Sequence, residues 1–518
     1  MGSMVKLKKV FAGTVIVLCF AFSAVIAQSQ KTQGSQEDSK NVVGSERTGQ
    51  QNSAEPGKWN PTYLHRLVTD DEVKAYKKEF DIAMAATAYL YALPTYLHFK
   101  QRYEVLYNFK TYMGDKGNPF GQFLLLRQPT SPKTTDTLPN YDTLYGTAFL
   151  ELKGHPMVLS VPHIPGRYYS FAMMDAYFYN FECIGSRVTG QDAGNYLIVG
   201  PNWQGQKPQG ITNIIQSPTN SMHMYERIYF RNLDDVPVVN KIQDQIKLIP
   251  LETFLDPNAA VTMPDPEEYL KINPLLAKDP VRVFEIANKY MGENPPPAED
   301  KTMLEYFAPI GVGPGFALPQ DDYSKDILRN GAVAADHAMT ALALSGFKIK
   351  NGWQIPPANV AKRGGPGGVA NQAMLQLRSI GILIPDEAVY YVAYTDGNLQ
   401  RLNGKKKYTL SFKNEDIPPF TKEKFGFWSV TMYDRVNTFL IDNPANKYIV
   451  RSGDDFVYGK DKSLTIYIQT EPPANEKLRV NWLPAPKEGD FILALRVYVG
   501  EEAVVSGKYI PPAVMLAE

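Results

Sequence analysis

The chain has 518 residues, 44% of them apolar and 21% charged, enough for two or three domains with their own cores. Lys plus Arg and Asp plus Glu each total 54, which leaves no electrostatic footprint for nucleic acid or an anionic membrane surface. The 31 Tyr, 25 Phe, 39 Pro and 38 Gly favour short strands and turns over long helices.

Residues 1–27 read as an export signal. Lys6, Lys8 and Lys9 form a basic start, residues 10–22 are apolar, and Val25-Ile26-Ala27 ends on a small residue at a cleavage-type site. Cleavage there makes Gln28 the first mature residue, so the expected location is periplasmic or secreted, without stable membrane insertion. The competing reading is an uncleaved anchor, for which the apolar run is borderline in length. Removing residues 1–27 also removes Cys19 and leaves Cys183 alone, so no internal disulfide is expected and the cores must hold the mature chain. Cys183 sits in an apolar stretch and reads as a buried, inert thiol.

Residues 28–58 are polar and bury too little to offset their ordering entropy, which predicts a flexible tether. Residues 59–260 form the next unit. It opens with a helical pattern over residues 70–107, capped by Thr69-Asp70, which Pro94 is expected to kink or end. Short alternating runs broken by Gly and Pro follow over residues 144–152, 157–161, 168–180, 196–199 and 224–230, the pattern of a sandwich. Residues 261–385 turn helical again, with entries at Pro266, Asp279-Pro280 and Ser324-Lys325-Asp326. The loop Gly311-Val312-Gly313-Pro314-Gly315 lacks the Lys-Ser/Thr of a phosphate loop and reads as a linker. Residues 386–518 return to strands at 390–395, 408–412, 428–433, 464–469 and 491–499, punctuated by paired prolines. Asn403-Gly404 before Lys405-Lys406-Lys407 marks a solvated hairpin turn. The expected fold class is mainly β with a helical middle part.

The candidate site lies in Asn140-Tyr141-Asp142-Thr143-Leu144-Tyr145 and in the aromatic run from Arg167 to Phe181. If residues 168–180 are one strand, Arg167, Tyr169, Phe171, Met173, Asp175, Tyr177 and Tyr179 share a face. A carboxylate among aromatics is costly unless it has a donor, a metal or solvent. Arg167 cannot supply the donor, because eight residues of strand hold it roughly 26 Å away. Asp175 therefore needs a partner from another element. Asp142 and Asp175, converging with Tyr145 and Tyr177, suit general acid–base work or a hard cation; Asn140, His163, Arg167 and Tyr169 are the matching ligand-binding candidates. The alternative is that Asn140 and Asp142 cap a turn after Pro139 and that Asp175 pairs with a structural arginine. The six histidines show no metal-ligand spacing, and no serine-nucleophile motif occurs. His337, in an Ala-rich helical pattern, reads as a packing residue.

These segments resemble a two-part bacterial family, the paired domains of unknown function 1254 and 1214. The first half carries the resemblance in Asn140-x-Asp142-Thr143-Leu144-Tyr145, Gly166-Arg167-Tyr168-Tyr169, Asp175-x-Tyr177 and Gly185-x-Arg187-x-Thr189-Gly190. The second carries it in Gly426-Phe427-Trp428-Ser429-Val430-Thr431-Met432-Tyr433, Asn481-Trp482-Leu483-Pro484 and Arg496-x-Tyr498. The resemblance implies an Ig-like N-terminal β-sandwich, a helical middle part and a C-terminal jelly-roll-like sandwich, exported from bacteria; it implies no reaction and no cofactor. The chain departs from the family pattern at His163, where Asp is usual, and near Tyr179. Three functions compete. One is an exported enzyme or small-ligand binder using the candidate site. A second is an envelope or secreted structural or interaction protein in which those residues form an internal network. The third is a polysaccharide-binding module using surface Trp and Tyr. Two strand-rich domains also make a homo-oligomer an expectation.

Overall fold

The computed structural model describes residues 68–113, 118–358, 360–364 and 368–517. The export-signal and tether segments lie outside them. The described chain opens with one helix, Asp70–Met113. Thr69 and Glu72 cap it reciprocally: the Glu72 amide donates to the Thr69 hydroxyl at 3.3 Å and the Thr69 amide to the Glu72 carboxylate at 2.8 Å. Of the two outcomes expected at Pro94, a kink or an end, the second does not occur: the helix runs through it to Met113. A proline costs a helix one hydrogen bond and about 3 kcal/mol. Burial of Leu90, Leu93 and Leu97 on the surrounding core offsets this, at about 1.5–3 kcal/mol per large aliphatic side chain.

Nine strands follow: β1 (Leu124–Leu126), β2 (Thr143–Glu151), β3 (Met157–Val161), β4 (Tyr169–Met174), β5 (Asn180–Gly185), β6 (Gly194–Val199), β7 (Asn213–Gln216), β8 (Ser221–Tyr229) and β9 (Lys247–Pro250). They form a five-stranded sheet in the order β1-β2-β8-β4-β5 and a four-stranded sheet in the order β7-β6-β3-β9. Alternation along β2, β4 and β8 sends Leu144, Ala148, Leu150, Phe171, Met173, Met222, Met224 and Ile228 into the core shared with Leu159, Val161 and Ile198 of the second sheet. The opposite face carries Tyr145, Thr147 and Phe149 of β2, with His223, Tyr225 and Arg227 of β8.

One expectation fails here for a definite reason. The run 168–180 is not a single strand: β4 stops at Met174 and β5 starts at Asn180. Asp175 makes the turn, its carboxylate accepting from the Tyr177 and Tyr179 amides at 2.9 and 3.0 Å, while Phe178 takes φ +58°. Asp175, Tyr177 and Tyr179 therefore do not share a strand face with Tyr169 and Phe171.

The middle part holds helices Pro266–Leu270, Val281–Glu293, Lys301–Phe307, Asp322–Ser345 and Gly368–Arg378. Asp265 and Asp279 cap the first two as expected, accepting from the Glu267 and Val281 amides at 3.0 Å. Helix Asp322–Ser345 starts earlier than expected, because Asp321 rather than Ser324 is its cap. His337 lies exposed on it, not packed. The helical stretch is also interrupted by the hairpin β10 (Lys348–Lys350) and β11 (Trp353–Ile355).

The remaining strands are β12 (Ala388–Ala393), β13 (Tyr408–Phe412), β14 (Phe427–Asp434), β15 (Ile449–Arg451), β16 (Leu464–Gln469), β17 (Trp482–Pro484), β18 (Phe491–Tyr498) and β19 (Val514–Leu516). They give a six-stranded sheet, β10-β11-β12-β18-β14-β15, and a four-stranded sheet, β17-β16-β13-β19. One face of the six-stranded sheet (Tyr391, Trp428, Val430, Leu493, Leu495 and Val497) packs on Leu410, Ile466 and Ile468 of the four-stranded one. Its other face carries Ser429, Thr431, Tyr433, Arg496 and Tyr498. Ile449, Ile492 and Ala494 of the same sheet join the first β core. The architecture is thus β-rich, with four sheets and covering helices, and no described helix is long and apolar enough to cross a membrane.

Within the first core, Glu226 is fully buried over Gly146, and neither of its carboxyl oxygens has donor geometry. Burial pushes its pKa up to about 8, with nearby Gln243 and Arg127 opposing. The fold therefore holds a proton that the unfolded chain releases near pH 4.5. Stability should fall as pH rises from about 4.5 to about 8, and Glu226→Gln should remove that part of the slope. Thermal unfolding of both proteins across this range checks it; parallel pH profiles would contradict it.

Candidate functional site

Residues 138–142 approach β2 as a tight loop, and Asn140 sets its shape. The Asn140 side-chain carbonyl accepts from the Asp142 amide at 2.7 Å, and its NH2 donates to the hydroxyls of Tyr145 and Tyr498 at 2.8 Å each. This turn puts Asp142 onto the six-stranded sheet. The Asp142 carboxylate has no exposure; it accepts from the Ser429 hydroxyl at 2.8 Å and from Arg451 Nε at 3.3 Å. Arg451 reaches past it to the carbonyls of Tyr141 and Arg231. Arg496 clasps the same loop from β18, donating to the Leu138 carbonyl at 3.1 Å and to the Tyr433 hydroxyl at 2.7 Å, and Tyr433 donates to the Pro139 carbonyl at 2.8 Å. The loop is held by five side chains of one sheet face, Ser429, Tyr433, Arg451, Arg496 and Tyr498.

The other candidates lie in separate places. Asp175 is buried and pairs with Arg363 at 3.3 Å; Arg363 also binds Asp300 at 2.8 Å, which accepts from the Tyr91 hydroxyl at 2.9 Å. Burial raises the Asp175 carboxyl, with Arg363 and the two turn amides opposing. Its partner does come from another element. Tyr177 donates to the Asn294 carbonyl at 2.7 Å and Tyr169 to the Gly190 carbonyl at 2.8 Å. Arg167 forms a two-pronged pair with Asp235, at 2.8 and 3.1 Å. His163 is largely exposed, its ring 3.7 Å from Asp192. Asn140, Asp142 and Tyr145 thus stay together, while Asp142 and Asp175 share no partner. Among the described residues no group of three or more metal-type side chains converges.

Several residues at these sites escaped the sequence reading. Glu387, nearly fully buried, accepts from the Tyr168 hydroxyl at 2.7 Å and pairs with Arg187, and the Cys183 thiol points at it from 3.6 Å. Burial pushes that thiol well up, as expected of an inert cysteine. His98 and His223 are buried 6.3 Å apart, ring centre to ring centre, and burial depresses both, His223 to about 3. Of the residues considered for a sugar surface, Trp428, Tyr433 and Arg496 are buried, while Tyr467 and Trp482 are partly exposed. The available signal was a lone charge in an apolar strand: Arg496 in the run 491–499, and Glu226-Arg227 in the run 221–230.

Residues 120–250 match the family described as Protein of unknown function (DUF1254), and residues 387–502 match Protein of unknown function (DUF1214). The chain carries this domain pair in the expected order. The clasp joins the two matched regions, with residues 138–142 in DUF1254 and Ser429, Arg451 and Arg496 in DUF1214. The crystal structure of the VPA0106 protein from Vibrio parahaemolyticus is similar in fold, with 23% identity and a TM-score of 0.63 over 85% of this chain and 100% of that one. An uncharacterised protein from Burkholderia cenocepacia gives 11% identity and a TM-score of 0.43 over 86% and 97%. No curated protein matches the chain.

Removing the cation beside Asp175 and Asp300 should be costly, because it leaves two largely buried carboxylates without their shared partner. Arg363→Met is expected to lower stability by about 3 kcal/mol, read as a lower urea midpoint. A midpoint within error of wild type would show that Arg363 does not carry the pair.

Proposed function

We propose that this is an exported, periplasmic or secreted structural or interaction protein whose DUF1254 and DUF1214 halves are locked together by a buried polar clasp. The observation that carries the reading is Asp142, fully buried and satisfied by Ser429 and Arg451. A carboxylate with no exposed surface, held by donors of its own fold, presents no oxygen to a substrate from solvent. Its cost is desolvation, and its return is a unique register for loop 138–142 on the six-stranded sheet. The two sheets of the first half are read as an Ig-like sandwich and the two of the second as a jelly-roll-like sandwich, in line with their shared cores. Export is supported by the basic, apolar and small-residue pattern of residues 1–27.

Two experiments test the proposal. In a double-mutant cycle, Asp142→Ala and Arg451→Met should each cost about 3–5 kcal/mol, since each strands a buried charge. The double mutant should recover about 1–3 kcal/mol of the summed loss. Additive losses would remove the clasp. Expression with residues 1–27 in a bacterial host should yield a mature chain starting at Gln28 outside the cytoplasm. An uncleaved cytoplasmic product would overturn export.

A further inference from the structure

The same seam holds more positive charge than its carboxylates answer. Arg227, at the centre of β8, is 5% exposed. Its Nη2 donates to the Gly381 carbonyl at 3.0 Å, its Nε only weakly to the Tyr145 hydroxyl at 3.4 Å, and Nη1 has no partner. The guanidinium lies over the rings of Tyr145 and Tyr225, 5.1 and 5.3 Å from their centres. Arg496 is 3% exposed and bonded only to the Thr431 and Tyr433 hydroxyls and the Leu138 carbonyl, all neutral. Among the described residues neither arginine forms an ion pair. Asp142 pairs with Arg451 and also acts on Arg496 electrostatically, and Glu387 pairs with Arg187, so the arginine left without a carboxylate is Arg227.

A buried guanidinium without a counter-charge is expensive. The tyrosines cannot supply one near neutral pH, because burial holds Tyr390 and Tyr498 above the usual tyrosine range. The surroundings suit an outside anion. Tyr145 and Tyr390 stand within electrostatic reach of Arg227, and Tyr145, Tyr225, Tyr390 and Asn140 are each partly exposed.

We propose that this seam binds a small organic carboxylate, its oxygens on Arg227 Nη1 and the Tyr145 and Tyr390 hydroxyls, its body against the tyrosine rings. An arginine fork matches a carboxylate in geometry and charge, and aromatic walls favour a ligand with a flat apolar body. Nη1 is covered when the site is empty, so admission requires a partly exposed ring, Tyr390 or Tyr145, to swing aside. The inference does not depend on the bonds of Asp142 to Ser429 and Arg451; it shares with the loop only the Tyr145 hydroxyl, which accepts from Asn140.

The test uses the full chain with sodium benzoate as probe, at fixed ionic strength, with chloride and inorganic phosphate in parallel. Melting temperature and tyrosine fluorescence are followed. Benzoate should raise the melting temperature saturably while chloride has no such effect. Arg227→Gln should weaken the apparent affinity by roughly tenfold or more, and Tyr390→Phe by a few-fold. If Arg227→Gln fails to fold, Tyr390→Phe and Tyr145→Phe decide. No saturable response in wild type, or an undiminished one in these variants, overturns the site. A response to phosphate but not to benzoate overturns the carboxylate assignment.

Discussion

The seating of loop 138–142 of the first half on the six-stranded sheet of the second depends on the burial of one charge. Asp142 sits at zero exposure, and an unpaired carboxylate there would cost several kcal/mol. Ser429 and Arg451 remove that cost only if the loop 138–142 lies in one position on the six-stranded sheet. The constraint then propagates. Arg496 and Tyr433 can reach the Leu138 and Pro139 carbonyls only in that position, and Asn140 can bridge Tyr145 and Tyr498 only there. Apolar contact alone, as between Phe427, Tyr498 and Tyr168, would tolerate sliding. The polar set does not.

The same logic recurs at two further points, Glu387 with Tyr168 and Arg187, and Arg363 with Asp175 and Asp300. In each, a charge from one part of the chain is buried by a partner far away in sequence. The first β half, the middle segment and the second β half are therefore tied by charge pairs across their boundaries rather than by apolar packing only. Such ties add specificity of arrangement more than net stability, since much of their Coulomb gain repays desolvation. Arg227 stands out against this pattern because no carboxylate among the described residues pairs with it.

Much of the architecture was legible in local pattern. Period-two alternation located β2, β3, β6, β13, β14, β16 and β18 to within a residue or two, and Asp265 and Asp279 announced their helices. The failures have physical causes. The run 168–180 broke because Asp175 offers its carboxylate to the backbone and bends the strand, a turn hidden by aromatic residues on both sides. Asp175's need for a distant partner could be read from strand geometry, but Arg363, 188 residues away, could not. Ser429 and Arg451 were likewise invisible as partners of Asp142, because nothing local links residues about 300 apart. The lone Arg496 in an apolar strand was the clearest available sign that the second half turns a polar face inward.

A clasp of this kind should make the two halves unfold together. Differential scanning calorimetry of wild type and of Asp142→Asn, which keeps shape and removes charge, tests it most directly. Wild type should show one cooperative transition. In the variant that transition should broaden or split, as the DUF1214 sheets and the DUF1254 sheets melt separately. Two resolved transitions already in wild type, or an unaltered single peak in the variant, would contradict it.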